Sequence, residues 1–133
     1  MQVVSPIDIE DALRADLAAL DGNHRYFAPP IPPDLKAGDV LVTRVGGSGV
    51  SGASHANDVS VDCYAATDAG AVQLADEVQS LVVSLPLRQT ATQYSNATAN
   101  LPYQNHDPRA ANLARCTFRA TLTCPGQIGR AHV

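Results

Sequence analysis

The glycine-rich stretch VGGSGVSG, at positions 45–52, is the part of the sequence that most resembles a cofactor-binding motif. Its last six residues satisfy G-x-G-x-x-G, which in dinucleotide-binding proteins brings backbone N–H groups and a helix N-terminus onto a pyrophosphate. That chemistry requires a helix directly after the glycines. Here strand-like alternation begins at Val59 and helical periodicity only at Asp68. The stretch therefore predicts a long, flexible β-hairpin loop rather than a cofactor site.

Two histidine–aspartate pairs are the other candidates for chemistry: His55 with Asp58, and His106 with Asp107. With a nearby serine, either pair could in principle support hydrolysis, but no spacing in the sequence brings a base onto a nucleophile. The four histidines lie in separate loop or tail regions without the spacing of metal ligands. We therefore predict no catalytic residue, no cofactor and no metal, and the chain is not expected to be an enzyme.

The periodicity of apolar residues predicts two helices and four strands in the order α-β-β-α-β-β. The segment 114–124 shows the clearest alternation, because every second residue from Ala114 to Cys124 is apolar. Two amphipathic helices and four strands with one apolar face each predict an α+β fold, in which both helices pack on one face of a mainly antiparallel sheet. The predicted helices are 6–20 and 69–85, and the predicted strands are 40–45, 59–66, 90–99 and 114–124.

Capping residues predict where the helices begin. Ser5 is the expected N-cap of the first helix, with Pro6 at the first helical position and Asp8 completing the capping signal. Thr67 and Asp68 are expected to cap the second helix.

A proline-rich link, APPIPPDLKAGD, occupies positions 28–39. Its prolines enforce an extended backbone with few hydrogen-bond donors. A ligand for SH3-type domains is one interpretation, and a rigid connector from the first helix to the sheet is the one we favour.

Length and charge limit the kinds of protein this can be. The 133 residues predict one domain, 1–126, followed by a tail without regular structure, 127–133. The net charge of −4 argues against bulk attraction to nucleic acid or anionic membranes. No segment approaches the roughly 20 apolar residues of a membrane span, and the N-terminus lacks the features of a secretory signal. We therefore expect a soluble intracellular product with three free cysteines in its core.

Four arginines form a possible interaction surface: Arg109, Arg115 and Arg119 near the last strand, joined by Arg44 from another strand. One interpretation is a solvated sheet face with cross-strand partners such as Asp62. The other is a charged subunit interface, for which arginine is well suited. The sequence leaves both open.

The layout of these elements resembles the tail terminator, or tail completion, proteins of long-tailed phages. The similar segments are, in order, DALRADLAAL, GDVLVTRVGG, VSVDCYAATDAGAVQLADEVQSLV and RCTFRATLTC. Most of the likeness lies in the stretch 59–85, where a strand runs through Ala-Thr-Asp directly into a helix rich in alanine and leucine. The proline-rich link is longer and stiffer than this family would suggest.

The resemblance implies a structural virion protein, assembled in the bacterial cytoplasm and located in the neck of the tail. Such proteins form a ring, hexameric in this family, that caps the tail tube and offers a surface to the head–tail connector. DNA would pass through the lumen without specific binding. The partners implied are further copies of the chain, the tail tube protein and the connector or stopper protein. Candidate interface residues are Arg44, Gly47, Ser48, Gly49, Ser51, Gly52, His106, Asp107, Arg109, Arg115 and Arg119.

Two other classes of function are compatible with the sequence. A connector stopper or a tail tube subunit of the same virion is the nearest alternative, although tube subunits are expected to contain more strands. A small α+β enzyme or ligand-binding domain would need a pocket with convergent polar groups, and the sequence does not assemble one.

Overall fold

A computed structural model describes residues 2–5, 7–51 and 53–130 of the chain. The helices are α1 (Ile9–Leu20) and α2 (Asp68–Val83), with short 3₁₀ turns at Leu85–Leu87 and Pro108–Ala110. The strands are β1 (Gln2–Ser5), β2 (Tyr26–Phe27), β3 (Val40–Ser51), β4 (Ser54–Ala65), β5 (Asn96–Ala99), β6 (Tyr103–Gln104), β7 (Ala114–Pro125) and β8 (Gln127–Arg130).

The main sheet has the strand order β2-β3-β4-β7-β5, and β6 pairs with another part of β7. All pairings are antiparallel except that of β2 with β3. The α+β class and the mainly antiparallel sheet were predicted correctly. The predicted four strands were too few, because this sheet has six and β1 and β8 form a separate pair. The missed strands have two or four residues, too short for a detectable alternation.

Both helices pack on one face of the sheet, as the apolar stripes predicted. The core contains the stripe of α1 (Ile9, Leu13 and Leu17), the buried face of α2, and alternate residues of β3, β4 and β7. The three cysteines are free and buried, as expected: Cys63, Cys116 and Cys124.

The first helix begins later than its capping signal predicted. Ser5 is not the N-cap, because it lies in β1, opposite Gln127 of β8. Asp8 caps α1 instead, and its Oδ1 accepts a hydrogen bond from the Asp11 N–H at 3.4 Å. The predicted cap of the second helix is confirmed, since the Thr67 hydroxyl accepts from the Gly70 N–H at 3.1 Å.

The tail also contains a strand that no periodicity indicated. Residues 127–130, expected to lack regular structure, form β8 against β1. The predicted tail residues 131–133 lie outside the part of the chain that the structure describes, as does Pro6.

The proline-rich link covers one end of the opposite sheet face. Ile31 and Leu35 pack against a second apolar cluster that includes Leu41 and Tyr64. The segment is therefore a structural cover as well as a connector. An ion pair of 2.6 Å between Arg25, just before β2, and the buried Asp39 holds the end of the link beside the start of β2.

Three of the four tyrosines donate a hydrogen bond from their hydroxyl to an aspartate carboxylate. These bonds join loops to the elements beside them, and burial is the main cause that raises the pKa of each phenol. The pKa of Tyr64 is raised to about 12, mainly by burial; a hydrogen bond from Arg115 opposes the rise, and the nearby Asp62 and Asp107 contribute to it. The pairs are Tyr26 with Asp21 at 2.6 Å, Tyr64 with Asp107 at 3.1 Å, and Tyr94 with Asp16 at 2.6 Å.

We predict that the protein loses stability as the pH rises above about 10. The folded state favours the neutral phenols, so their contribution is complete below the unfolded pKa and is lost as the pH rises through the folded pKa. The urea midpoint should fall steadily between about pH 10 and pH 12. The urea midpoint of Tyr64→Phe should fall less steeply over this range. A slope identical to that of the wild type would contradict a contribution from the buried Tyr64 phenol.

Candidate assembly surfaces

The glycine-rich stretch is a strand and not a loop, which corrects the predicted long, flexible hairpin loop. β3 and β4 pair from Val40–Cys63 to Ser51–Ser54, so only positions 52 and 53 separate the two strands in the sequence. The register shifts twice, between Arg44 and Gly46 and again between Gly49 and Ser51. Gly47, Ser48, Gly49 and Ser51 therefore lie in β3, and Gly52 lies outside the described residues.

Gly47 is required for the close approach of the two strands. Its φ is +155°, and a Cβ at this position would lie 2.6 Å from the backbone oxygen of Ala56. A side chain here must displace the backbone, which is costly because strand pairing fixes both chains.

Gly47→Ala is expected to lower the free energy of unfolding by about 1–3 kcal/mol through this overlap. Gly49→Ala is the matched control, because nothing lies within 4 Å of the Cβ it would add. Urea denaturation of the two variants measures the difference. Equal stability would show that the strands do not approach as closely as described.

The segment His106–Arg109 is held by a buried carboxylate. The Asp107 side chain is only 3% exposed and accepts from the Tyr64 hydroxyl at 3.1 Å. Arg109 Nε donates to Asp107 Oδ1 at 3.1 Å, and Arg115 Nη1 lies 3.4 Å from Oδ2. Burial pushes the pKa of Asp107 up, but these hydrogen bonds and the Arg115 charge outweigh it, so the pKa lies below its ordinary value.

This network changes the interpretation of Asp107 and Arg115 as interface residues. The Arg115 side chain is 13% exposed, and its guanidinium also donates to the carbonyls of Asn105 and His106. Asp107 and Arg115 therefore hold the loop before β7 onto the sheet. Of the residues predicted in this loop, His106 and Arg109 remain exposed and accessible to a partner.

Arg44 does not join the other arginines. It lies opposite Val59, a core residue, whereas Arg119 lies opposite Ser60 and Arg115 opposite Tyr64. Directly opposed residues share a sheet face, and consecutive residues of a strand point to opposite faces. The predicted cluster is therefore divided between the two faces of the sheet.

Arg119 lies on the sheet face away from the two helices and has no ion-pair partner there among the described residues. It is exposed, and its side chain has no ion pair within the described ranges. It lines an open groove of about 440 Å³ together with Val45, Asp58, Asn100 and Thr121. Of the four predicted arginines, Arg119 is thus the one on this face that is both exposed and without an ion pair among the described residues.

The possible hydrolytic pair of His55 and Asp58 is not assembled. His55 lies opposite the buried Cys124, whereas Asp58 lies opposite Thr121 and accepts from its hydroxyl at 2.7 Å. The two side chains are three residues apart on a regular strand and point to opposite faces. Among the described residues, no group of three or more His, Cys, Asp or Glu could hold a metal ion.

Exposed apolar residues at the edges of the sheet were missed by the sequence analysis. Val45 and Val50 are exposed on β3, and Leu101 and Tyr103 are exposed beside β5 and on β6. The signal available in the sequence was the absence of charge from 45–52 and from 96–101. These segments were interpreted as a loop and as a weak strand, so their apolar residues received no role.

Neither the protein-family models nor the curated proteins include a match to this sequence. No helix in the described part of the chain has the length and apolar character needed to cross a bilayer.

Proposed function

We propose that this chain is a structural subunit of a phage tail, a terminator that forms a ring on the end of the tail tube and offers a surface to the head–tail connector. The resemblance in sequence is the starting point. It is supported by the order of the long elements α1, β3, β4, α2 and β7, which is the order of the segments that carry the resemblance.

The observation that carries the proposal is the pair of uncovered edges at opposite ends of one sheet. β3 beyond its contact with β2 and the outer side of β5 have no strand neighbour within the described residues. Exposed apolar side chains accompany both edges: Val50 is 60% exposed and Leu101 is 81% exposed. A subunit with two different adhesive surfaces is suited to head-to-tail assembly, which gives a ring when the rotation closes.

Deletion of the gene from the phage tests the proposal. Loss of a terminator should leave filled heads and separate tail tubes, many of abnormal length, and supplying the gene from a plasmid should restore joined particles. Negative-stain images of purified chain mixed with tail tubes should show one ring at a tube end. Normal particles from the deletion, or a chain that ignores the tubes, would contradict the proposal.

A tail tube subunit is the second candidate, and one observation favours it. β3, β4 and β7 have twelve residues each, so the chain contains more strand than its sequence predicted. A tube subunit should polymerise by itself into long tubes, whereas a terminator should stop at a single ring.

A further inference from the structure

Two strand edges are left without a neighbour, and their outward-facing backbone groups can be identified. We define the glycine edge as the outer side of Val45–Ser51 and the alanine edge as the outer side of Asn96–Leu101. An open edge presents a row of free N–H and C=O groups, which is a template for another strand.

Hydrogen bonds show which residues of β3 direct their backbone N–H and C=O groups outward, away from β4. Tyr64 N–H donates to Asp39 O at 3.0 Å, so the backbone groups of Tyr64 point toward β3. β4 pairs with β7 without a register shift, so the direction of its backbone groups alternates regularly. The backbone groups of every second residue back from Tyr64, as far as Ala56, therefore also point toward β3. The backbone groups of Ser48, the partner of Ala56, therefore point inward to β4. Those of Gly47 and Gly49, on either side of it, point outward.

The position of Arg44 agrees with this assignment. It lies opposite Val59, which faces β7, so its own backbone groups point outward. Its N–H donates outward to Glu10 Oε2 at 2.7 Å, so a side chain of α1 covers the edge at this point. Beyond it, Gly47 and Gly49 have no backbone partner on the outer side among the described residues.

The alanine edge has the same spacing. Asn100 N–H donates to Arg119 O at 3.0 Å, so the backbone groups of Asn100 point toward β7. Those of Thr98 do too, because backbone groups alternate in direction along a strand. The backbone groups of Ala97 and Ala99 therefore point outward, and they have no backbone partner on that side in the described chain. Each edge thus offers two residues, two positions apart, with free donors and acceptors.

Neither edge carries the usual protection against pairing. Natural sheets block open edges with charged residues, prolines or a covering element. The sequences VGGSGVS and NATANL contain no charged residue and no proline. The small residues Gly47, Gly49, Ala97 and Ala99 would also allow two backbones to approach without steric conflict.

We infer that the glycine edge of one copy pairs with the alanine edge of the next copy, so that the sheet continues across the subunit boundary. This inference rests on the proposed function and specifies its ring contact. The occupant is a second copy because the two edges match in spacing, lack of charge and exposed apolar residues. Pairing of two glycine edges would form a closed dimer and leave both alanine edges open, so the head-to-tail arrangement is favoured.

Lysine substitutions at the two edges test the contact. Val50→Lys and Leu101→Lys place a charge at opposite edges, and Leu87→Lys is the control at a residue that is 91% exposed on a 3₁₀ turn. We expect each edge variant to raise the concentration for half-maximal ring formation, alone or on tail tubes, about tenfold or more. The control should match the wild type, and circular dichroism should show all three variants folded.

Cross-linking decides which edges meet. A Val50→Cys chain mixed with a Leu101→Cys chain should give a covalent dimer with a flexible bismaleimide, because the three native cysteines are buried. Cross-linked dimers from the Val50→Cys chain alone would overturn the head-to-tail pairing. Rings unaffected by either lysine, or without mixed cross-links, would overturn this contact and leave the proposed function intact. A wild-type chain that forms no ring, even on tail tubes, would overturn both.

Discussion

Asp107→Ala is expected to lower the free energy of unfolding by about 3–5 kcal/mol, the range for removal of one partner from a buried ion pair. The Asp107 carboxylate is the common acceptor for Tyr64, Arg109 and Arg115. Without it, the buried Tyr64 hydroxyl loses its hydrogen bond and the largely buried Arg115 loses its counter-charge. The loop before β7 should then detach from the sheet.

Urea denaturation followed by circular dichroism measures this loss. Arg109→Ala is the matched control, because that side chain contacts the same carboxylate but is 67% exposed, and solvent screens such an exposed pair. Hydrogen exchange should show faster exchange of the Asn105 amide, which donates to Arg115 O at 3.0 Å. If Asp107→Ala were no less stable than Arg109→Ala, the network would not hold the loop.

Phe118→Ala is expected to cost about 3–5 kcal/mol, the usual result of truncating a buried aromatic side chain. Phe118 is fully buried at the centre of β7, opposite Val61, under the two helices. Its removal leaves a cavity that the surrounding strands cannot fill, because their positions are fixed by pairing on both sides.

Thermal and urea denaturation should both show the Phe118→Ala effect. Leu101→Ala is the comparison, since it removes an apolar side chain that is 81% exposed and should change the stability of the monomer by less than about 0.5 kcal/mol. A small effect of Phe118→Ala would indicate that the layer between helices and sheet is loosely packed.

These expectations determine which variants report on assembly. Arg115→Glu would disrupt the loop before β7, so its failure to assemble would not identify a contact. Arg119→Glu and the edge variants Val50→Lys and Leu101→Lys alter exposed residues and leave the folded chain intact. Assembly defects in these three variants therefore report on surfaces.

The elements whose residues repeat with one buried face could be predicted from local sequence patterns. Alternation in 114–124 and the apolar stripe in 9–20 follow from local geometry, because strand and helix periods place every second residue, or every third and fourth, on the core side. The α+β class, the two helices on one face and the buried cysteines follow from these periods. The start of α1 was misplaced because Ser5 and Asp8 both suit an N-cap, and the pairing of β1 with β8 selects Asp8.

The conformation of the glycine stretch and the positions of the polar residues depend on contacts between distant parts of the chain. The segment 45–51 has little intrinsic strand preference, and it is extended because β4 satisfies its backbone groups. Asp107 is buried because Tyr64, 43 positions earlier, meets it across the sheet. Arg44 and Arg119 are separated by register, which depends on strand pairing. Such contacts join residues far apart in the chain, and no local period encodes them.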